Sequence, residues 1–271
     1  MRRLLPVAIL LIGAQPASAQ TPSVVNGTLE PRTAQMTAER EITSIMKSVP
    51  GPAWVGYEVA VAPRKGQLGC WSNEREYAGV RTGPLKLEGA TSIYVLFRIA
   101  GARVEEIRVA SPECVLDAGK LTVYWLTGIS PASSLDWLVT LATSDGSSHV
   151  ANHATMAIAL HADGQATDRL IAIARGNHTA NLRGTAIFWL AQRAGDKAAG
   201  AISNALDDPD TEVKKKAVFA LSQLPRNEGV PKLIEVARTN KNPEVRRQAM
   251  FWLGQSRDPR ALEFFEQILR K

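Results

Sequence analysis

The sequence predicts an α+β chain in two parts: a small antiparallel β-rich region followed by an all-α solenoid of repeated helix pairs. Two observations predict it. Hydrophobic residues recur with a period of two from about residue 54 to about residue 131, and with a period near 3.6 beyond it. Three gapless segments of the second part then repeat one another: residues 182–192 (LRGTAIFWLAQ), 213–223 (VKKKAVFALSQ) and 245–255 (VRRQAMFWLGQ), equivalent residues lying 31 and then 32 positions apart. A helix pair of that length cannot bury its own apolar stripe, so successive pairs must stack.

The first 19 residues read as a segment apart from the fold. Arg2 and Arg3 precede the short apolar run 4–13 (LLPVAILLIG), and Ala17, Ser18 and Ala19 supply the small residues of a cleavage site. This is the pattern of a secretory signal removed after Ala19, and it predicts an exported, periplasmic or secreted protein. The run is too short to span a bilayer, and no later stretch approaches the ~20 apolar residues a span needs. No transmembrane segment is therefore expected in the mature chain.

The formal net charge is +6, of which Arg2 and Arg3 supply two. The mild excess that remains is not the footprint of a nucleic-acid binder. Only two cysteines occur, Cys70 and Cys114, and neither belongs to a C-x-x-C pair. In an oxidising compartment they read as a disulfide, the alternative being two separately buried thiols.

Residues 20–50 read as a linker and a helix. Residues 20–31 (QTPSVVNGTLEP) are polar and rich in turn formers, and 33–47 carry Met36, Ile42 and Ile45 at near-helical spacing with Thr33 as cap. Pro50, Gly51 and Pro52 end that helix. Residues 51–131 form the β-rich domain, with strands expected at 54–61, 67–71, 84–87, 91–99, 104–110 and 121–126. A Cys70–Cys114 bridge would staple an early strand to the loop before the last one.

Residues 132–271 form the solenoid, about four units plus a terminal helix, the first helix capped by Ser133 or Ser134. The first helices of the later units run through 170–174, 201–206 and 233–237. A weaker unit (135–141 with 154–160) precedes them, and 261–269 ends the array. Between the helices of their units lie Asp208-Pro209-Asp210 and Asn242-Pro243, where Pro breaks one helix and Asp or Asn caps the next. The pattern D-P-x-x-x-V-K at 208–214 followed by A-V-x-x-L at 217–221 resembles the HEAT repeat family, in particular its short bacterial, PBS-lyase-like type. Residues 111–131 also look like the β-rich N-terminal region of exported bacterial HEAT-repeat proteins. The resemblance implies a surface that binds a protein partner, with no catalysis and no cofactor.

On a wheel of 100° per residue, Val213, Ala217, Val218, Ala220 and Leu221 share an arc of about 160°. Phe219 lies outside it beside Gln223, as do Phe188 with Gln192 and Phe251 with Gln255. The family resemblance places second helices on the concave surface, so these six residues are the candidate partner-binding set. The alternative is that each Phe packs between adjacent second helices, beside the small Ala191, Ser222 and Gly254. A basic column (Arg183, Lys214, Arg246) accompanies them, either as an inter-repeat ladder with Asp208, Asp210, Glu212 or Glu244, or as a patch for acidic partners.

Four histidines occur: His149, His153, His161 and His178. The spacing of His149 and His153, with His161 and Asp163 further on, makes a metal-dependent or pigment-attaching enzyme the alternative function. Protein-hydroxylating HEAT enzymes carry His-Glu pairs, and this sequence has no His-Glu dipeptide. Phycobilin lyase relatives act on an intracellular pigment protein, which the signal argues against. No G-x-S-x-G, Walker or dinucleotide-binding glycine pattern occurs. No catalytic residue, metal site or cofactor is expected.

Overall fold

The computed structural model describes residues 21–62, 67–69, 84–86, 91–144, 146–193 and 196–270. The signal segment and Cys70 lie outside the described residues. The β-rich part holds β1 (Ser23–Val25), β2 (Thr28–Thr33), α1 (Ala38–Ser48), β3 (Ala53–Ala60), β4 (Gln67–Gly69), β5 (Pro84–Lys86), β6 (Ser92–Ala100), β7 (Arg103–Ala110), β8 (Val115–Asp117) and β9 (Thr122–Thr127). The helical part follows with α2 (Pro131–Thr143), α3 (Ser148–Leu160), α4 (Gln165–Arg175), α5 (Ala180–Ala191), α6 (Asp196–Asn204), α7 (Thr211–Gln223), α8 (Arg226–Thr239), α9 (Pro243–Ser256) and α10 (Pro259–Leu269). The two-part α+β reading therefore holds, and the helix pairs fall where the repeats placed them.

The sheet departs from the all-antiparallel expectation. Its five strands run in the order β2-β9-β3-β6-β7, with β9 parallel to both neighbours and only β3-β6-β7 antiparallel. β2, α1 and β3 thus form a split β-α-β unit with β9 inserted between its strands, because a helical crossover returns the chain in the same direction. The stretch 20–31, read as a linker, instead supplies β1, parallel to β8, and most of the edge strand β2, which runs on to Thr33. Almost wholly exposed, β2 carries Pro31 and has no apolar alternation to betray it. A proline is tolerated at an edge, where its missing N–H breaks no ladder.

Both faces of the sheet are covered, which is why β3 and β6 are buried nearly throughout. Alternate residues Val55, Tyr57, Val59, Ile93, Val95, Phe97 and Ile99 meet α1 and the first helices of the solenoid in one continuous core. That core runs from Ala38 to Phe264. The opposite face buries Trp54, Tyr94, Leu96 and Trp125 with Cys114, Leu116 and Ala118 in a second, smaller core. Tyr94 meets Trp125 edge-on at 4.7 Å, and the Arg108 guanidinium lies over Trp54 at 4.5 Å.

Helix caps follow the residue types, with shifts from the expected positions. Thr37 rather than Thr33 caps α1, since Thr33 still belongs to β2. Ser130 caps α2 and Pro131 opens it. The serines expected as caps tie the two parts together instead: Ser133 Oγ accepts from Ala38 N at 2.6 Å, and Ser134 Oγ donates to the Tyr57 hydroxyl at 2.9 Å.

Sheet and solenoid meet at a seam around His161. His161 pairs with Val61 in an antiparallel bridge, flanked by Ala62 N to Leu160 O and Ala162 N to Ala60 O, both 2.9 Å. The His161 ring is fully buried, its Nε2 lies 3.1 Å from Ser134 Oγ, and Nδ1 has no hydrogen-bond partner. A neutral imidazole protonated on Nε2 completes the Tyr57–Ser134–His161 chain and leaves Nδ1 as a bare acceptor. Arg193, from the following unit, donates Nη1 to Ala159 O and His161 O at 2.7 and 2.9 Å and so closes the end of α3.

Burial pushes the His161 imidazole down to about 4, with Asp163 opposing and Arg193 adding to the shift. The folded chain keeps this group neutral while the unfolded chain takes up a proton below about pH 6.5. Its contribution is therefore complete above pH 6.5 and drains away as pH falls toward 4. Urea unfolding should show a loss of about 2 kcal/mol from this group between pH 7 and pH 5. A His161→Phe variant should lack that part of the slope; equal slopes in both proteins would refute the assignment.

Candidate functional site

The second helices α3, α5, α7 and α9 pack side by side along the solenoid. Each presents one apolar arc inward: Val213, Ala217, Val218, Ala220 and Leu221 of α7 are fully buried, as the wheel requires. The six candidate residues lie outside that arc. Phe188 is 36% exposed and Phe251 54%, whereas Phe219 is half-buried. Gln192, Gln223 and Gln255 are exposed beside them.

The rings form a row across three helices. Phe188 stacks on Phe219 with centroids 6.0 Å apart and planes 5° from parallel. Phe219 meets Trp252 at 5.1 Å, and Trp252 meets Phe251 edge-on at 5.0 Å. At the other end Trp189 sits edge-on to Phe188 at 5.1 Å. The two arrangements weighed for these rings thus coexist: they pack against one another between helices, yet Phe188 and Phe251 keep area in water. Each such pair adds about 0.5–1.5 kcal/mol beyond the area it buries. Sequence reasoning missed Trp189 and Trp252, which follow Phe188 and Phe251 directly. A 100° step points the next residue round the helix, and only neighbouring rings bring it back into the row. A repeat step of 32 puts Met156, half-buried on α3, in the equivalent place of the first unit.

Beside the row, a cavity of about 240 Å³ opens between the C-terminal ends of α7 and α9 and the start of α8. Gln223, Trp252 and Gln255 line it with Leu224, Val230 and Leu233. The face accordingly offers flat aromatic surface, carboxamides that both donate and accept, and a recess with an apolar floor.

The basic column resolves into different roles. Arg183 forms a two-pronged ion pair with Asp208 of the next unit, Nε and Nη2 each at 2.8 Å, and donates Nη1 to His178 O. Burial alone would raise the Asp208 carboxyl. The Arg183 hydrogen bonds, the Asp210 backbone N–H and the charges of Arg183 and Lys214 more than reverse this and hold it below the usual carboxylate range. Arg246 instead donates to Asn240 O and Lys241 O of its own inter-helix loop. The ladder thus has a true inter-repeat rung at Arg183, and Asn240 replaces the acidic partner one unit on. Lys216 extends across Gly184 of α5, where a β-carbon would collide with its stem.

The histidines divide. His149 and His153 share a face near the start of α3 with Nδ1 atoms 3.1 Å apart. His161 caps the far end of that helix, roughly 18 Å along its axis, buried at the seam. Asp163 Oδ1 accepts from Gln165 N just ahead of α4, whose N-cap is Gly164. His149, His153, His161 and Asp163 therefore do not converge, and among the described residues no group of three or more His, Cys, Asp or Glu could hold a metal ion. Ser134 and His161 stand at the distance of a nucleophile and its base, but both are fully buried and Ser134 Oγ donates to the Tyr57 hydroxyl. Cys114 is buried in the smaller core. No helix among the described residues is long and apolar enough to cross a membrane.

With the geometry in place, the comparisons with known proteins bear on the helical half. The family model for HEAT repeats matches residues 167–240 and again 198–271. No curated protein matches. Among solved structures, an engineered protein aligns over 46% of this chain and 66% of its own, at 21% identity and a TM-score of 0.31. The complex of CpcE and CpcF of phycocyanin lyase from Nostoc sp. aligns over 45% of this chain and 90% of its own, at 17% identity and a TM-score of 0.34. Human deoxyhypusine hydroxylase aligns over 51% and 57%, at 21% identity and a TM-score of 0.33. The chain thus spans less than two thirds of the first and third of these. The stacked helix pairs, their 31- and 32-residue period and the family match agree that residues 167–271 are built of HEAT repeats.

Proposed function

We propose that this protein is an exported, non-catalytic scaffold that captures a protein partner on the second-helix face of its solenoid. One observation carries the reading: two aromatic rings of an otherwise packed row, Phe188 and Phe251, are held partly in water. Rigid, half-supported aromatics are the residues on which binding energy concentrates, since most of their ordering cost is met before the partner arrives. The flanking Gln192, Gln223 and Gln255 can bond the main chain of whatever covers the rings. HEAT arrays commonly serve as such surfaces.

The test is capture by the full-length protein from the exported fraction, compared with a Phe188→Ala/Phe251→Asp variant. The variant should bind its captured partner at least tenfold more weakly while keeping one cooperative unfolding transition. Undiminished capture would show that the face is not used. Loss of cooperative unfolding would show that the rings are structural.

Export rests on the pattern of residues 1–19, and a Cys70–Cys114 disulfide accompanies it in this reading. Closing 43 intervening residues is worth about 3–4 kcal/mol in the chain-entropy model. The intact mass of the exported form should begin at Gln20, and neither cysteine should take up an alkylating agent until the denatured chain is reduced. A retained N-terminus or two reactive thiols would contradict this part.

A further inference from the structure

A pair of facing imidazoles, exposed His149 and half-buried His153, lies outside the aromatic row. His149 and His153 stand one turn apart on α3, their rings 4.2 Å between centroids and their Nδ1 atoms 3.1 Å from each other. His153 Nδ1 also lies 2.9 Å from His149 O. A single ring proton on His153 Nδ1 accounts for both contacts, donated to the carbonyl and shared toward the His149 lone pair. Two imidazole nitrogens are thus converged on one small volume at the protein surface.

That separation is the bite of a metal ion. At the ~2.0–2.1 Å typical of imidazole nitrogen on a divalent transition ion, a 3.1 Å gap subtends an angle of about 95–102°. This falls between the right angle of tetragonal or octahedral coordination and the tetrahedral value. We propose that His149 and His153 form a two-imidazole site for a borderline divalent transition ion. Neutral imidazoles favour copper(II) over nickel(II) and zinc(II). Binding moves the His153 ring proton from Nδ1 to Nε2, so both Nδ1 lone pairs become ligands and no net proton is released. The remaining coordination positions face solvent and take water.

Position ties the site to the solenoid without depending on the partner-binding reading. By the 32-residue step, His149 and His153 stand where Asn181 and Thr185 stand on α5. Those two residues bond Asn152 of α3 through Asn181 Nδ2 at 3.4 Å and Thr185 Oγ1 at 3.2 Å. The first unit thus carries imidazoles where the next carries an amide and a hydroxyl.

Copper(II) titration of the full chain, prepared without a histidine tag in a weakly coordinating buffer, tests this. One equivalent should bind, with electron paramagnetic resonance couplings to two imidazole nitrogens. His149→Ala and His153→Ala should each weaken binding at least tenfold and remove one coupling, while His178→Ala leaves both unchanged. Because His149 is exposed and His153 is only half-buried, the variants should unfold near the wild-type temperature, which separates loss of ligand from loss of fold. Undiminished binding in the His149→Ala/His153→Ala double variant, or couplings that survive it, would overturn the site.

Discussion

A pair of short helices leaves one apolar stripe uncovered, and every other feature of this molecule follows from the need to cover it. Along the array, each unit is covered by the next. Most hydrogen bonds that leave a unit reach its neighbour: Arg183 to Asp208, Lys232 to Ser203, Asn242 to Thr211, Arg238 to Gln267. At the N-terminal end no earlier unit exists among the described helices, and the mixed sheet takes that place. Its strands β3 and β6 turn Tyr57, Val95 and Phe97 onto the core that Leu135 and Leu138 of α2 enter from the other side.

The seam explains why polar groups are buried there. Joining a sheet to a helix pair leaves backbone and hydroxyl groups without water, and each must find a partner. The Val61–His161 bridge, the Tyr57–Ser134–His161 chain and Arg193 on the carbonyls ending α3 do so together. The smaller core on the far side of the sheet lets the strands be apolar on both faces without exposing either. The second-helix layer is left to present its aromatic row outward.

The helical half was legible because its signal is repetition. A 31-residue period placed α4 to α9, and the wheel separated Ala217 and Leu221 from Phe219 correctly. The β half was legible in its longer strands β3, β6, β7 and β9, but β1, β2 and β8 were missed and so were the connections. β2 offers only Leu29 to an apolar pattern, so the split β-α-β unit, and with it the parallel pairs, stayed hidden. Ser133 and Ser134 looked like caps because serine before an apolar run usually is one, whereas Ser130, ahead of Pro131, does that work and frees them to bond the β part. The ring row was half visible: spacing gave the three phenylalanines, but only packing between helices brings Trp252 between Phe219 and Phe251.

If the sheet is the cap on which the solenoid stands, the two cannot unfold separately at their junction. Native-state hydrogen exchange across increasing denaturant measures this directly. Amides of β3 and β6 and those of α2 and α3 should merge into one isotherm with a common opening free energy. Slow exchange persisting in α2 and α3 after the β3 and β6 amides have opened would show two independent bodies and contradict the account.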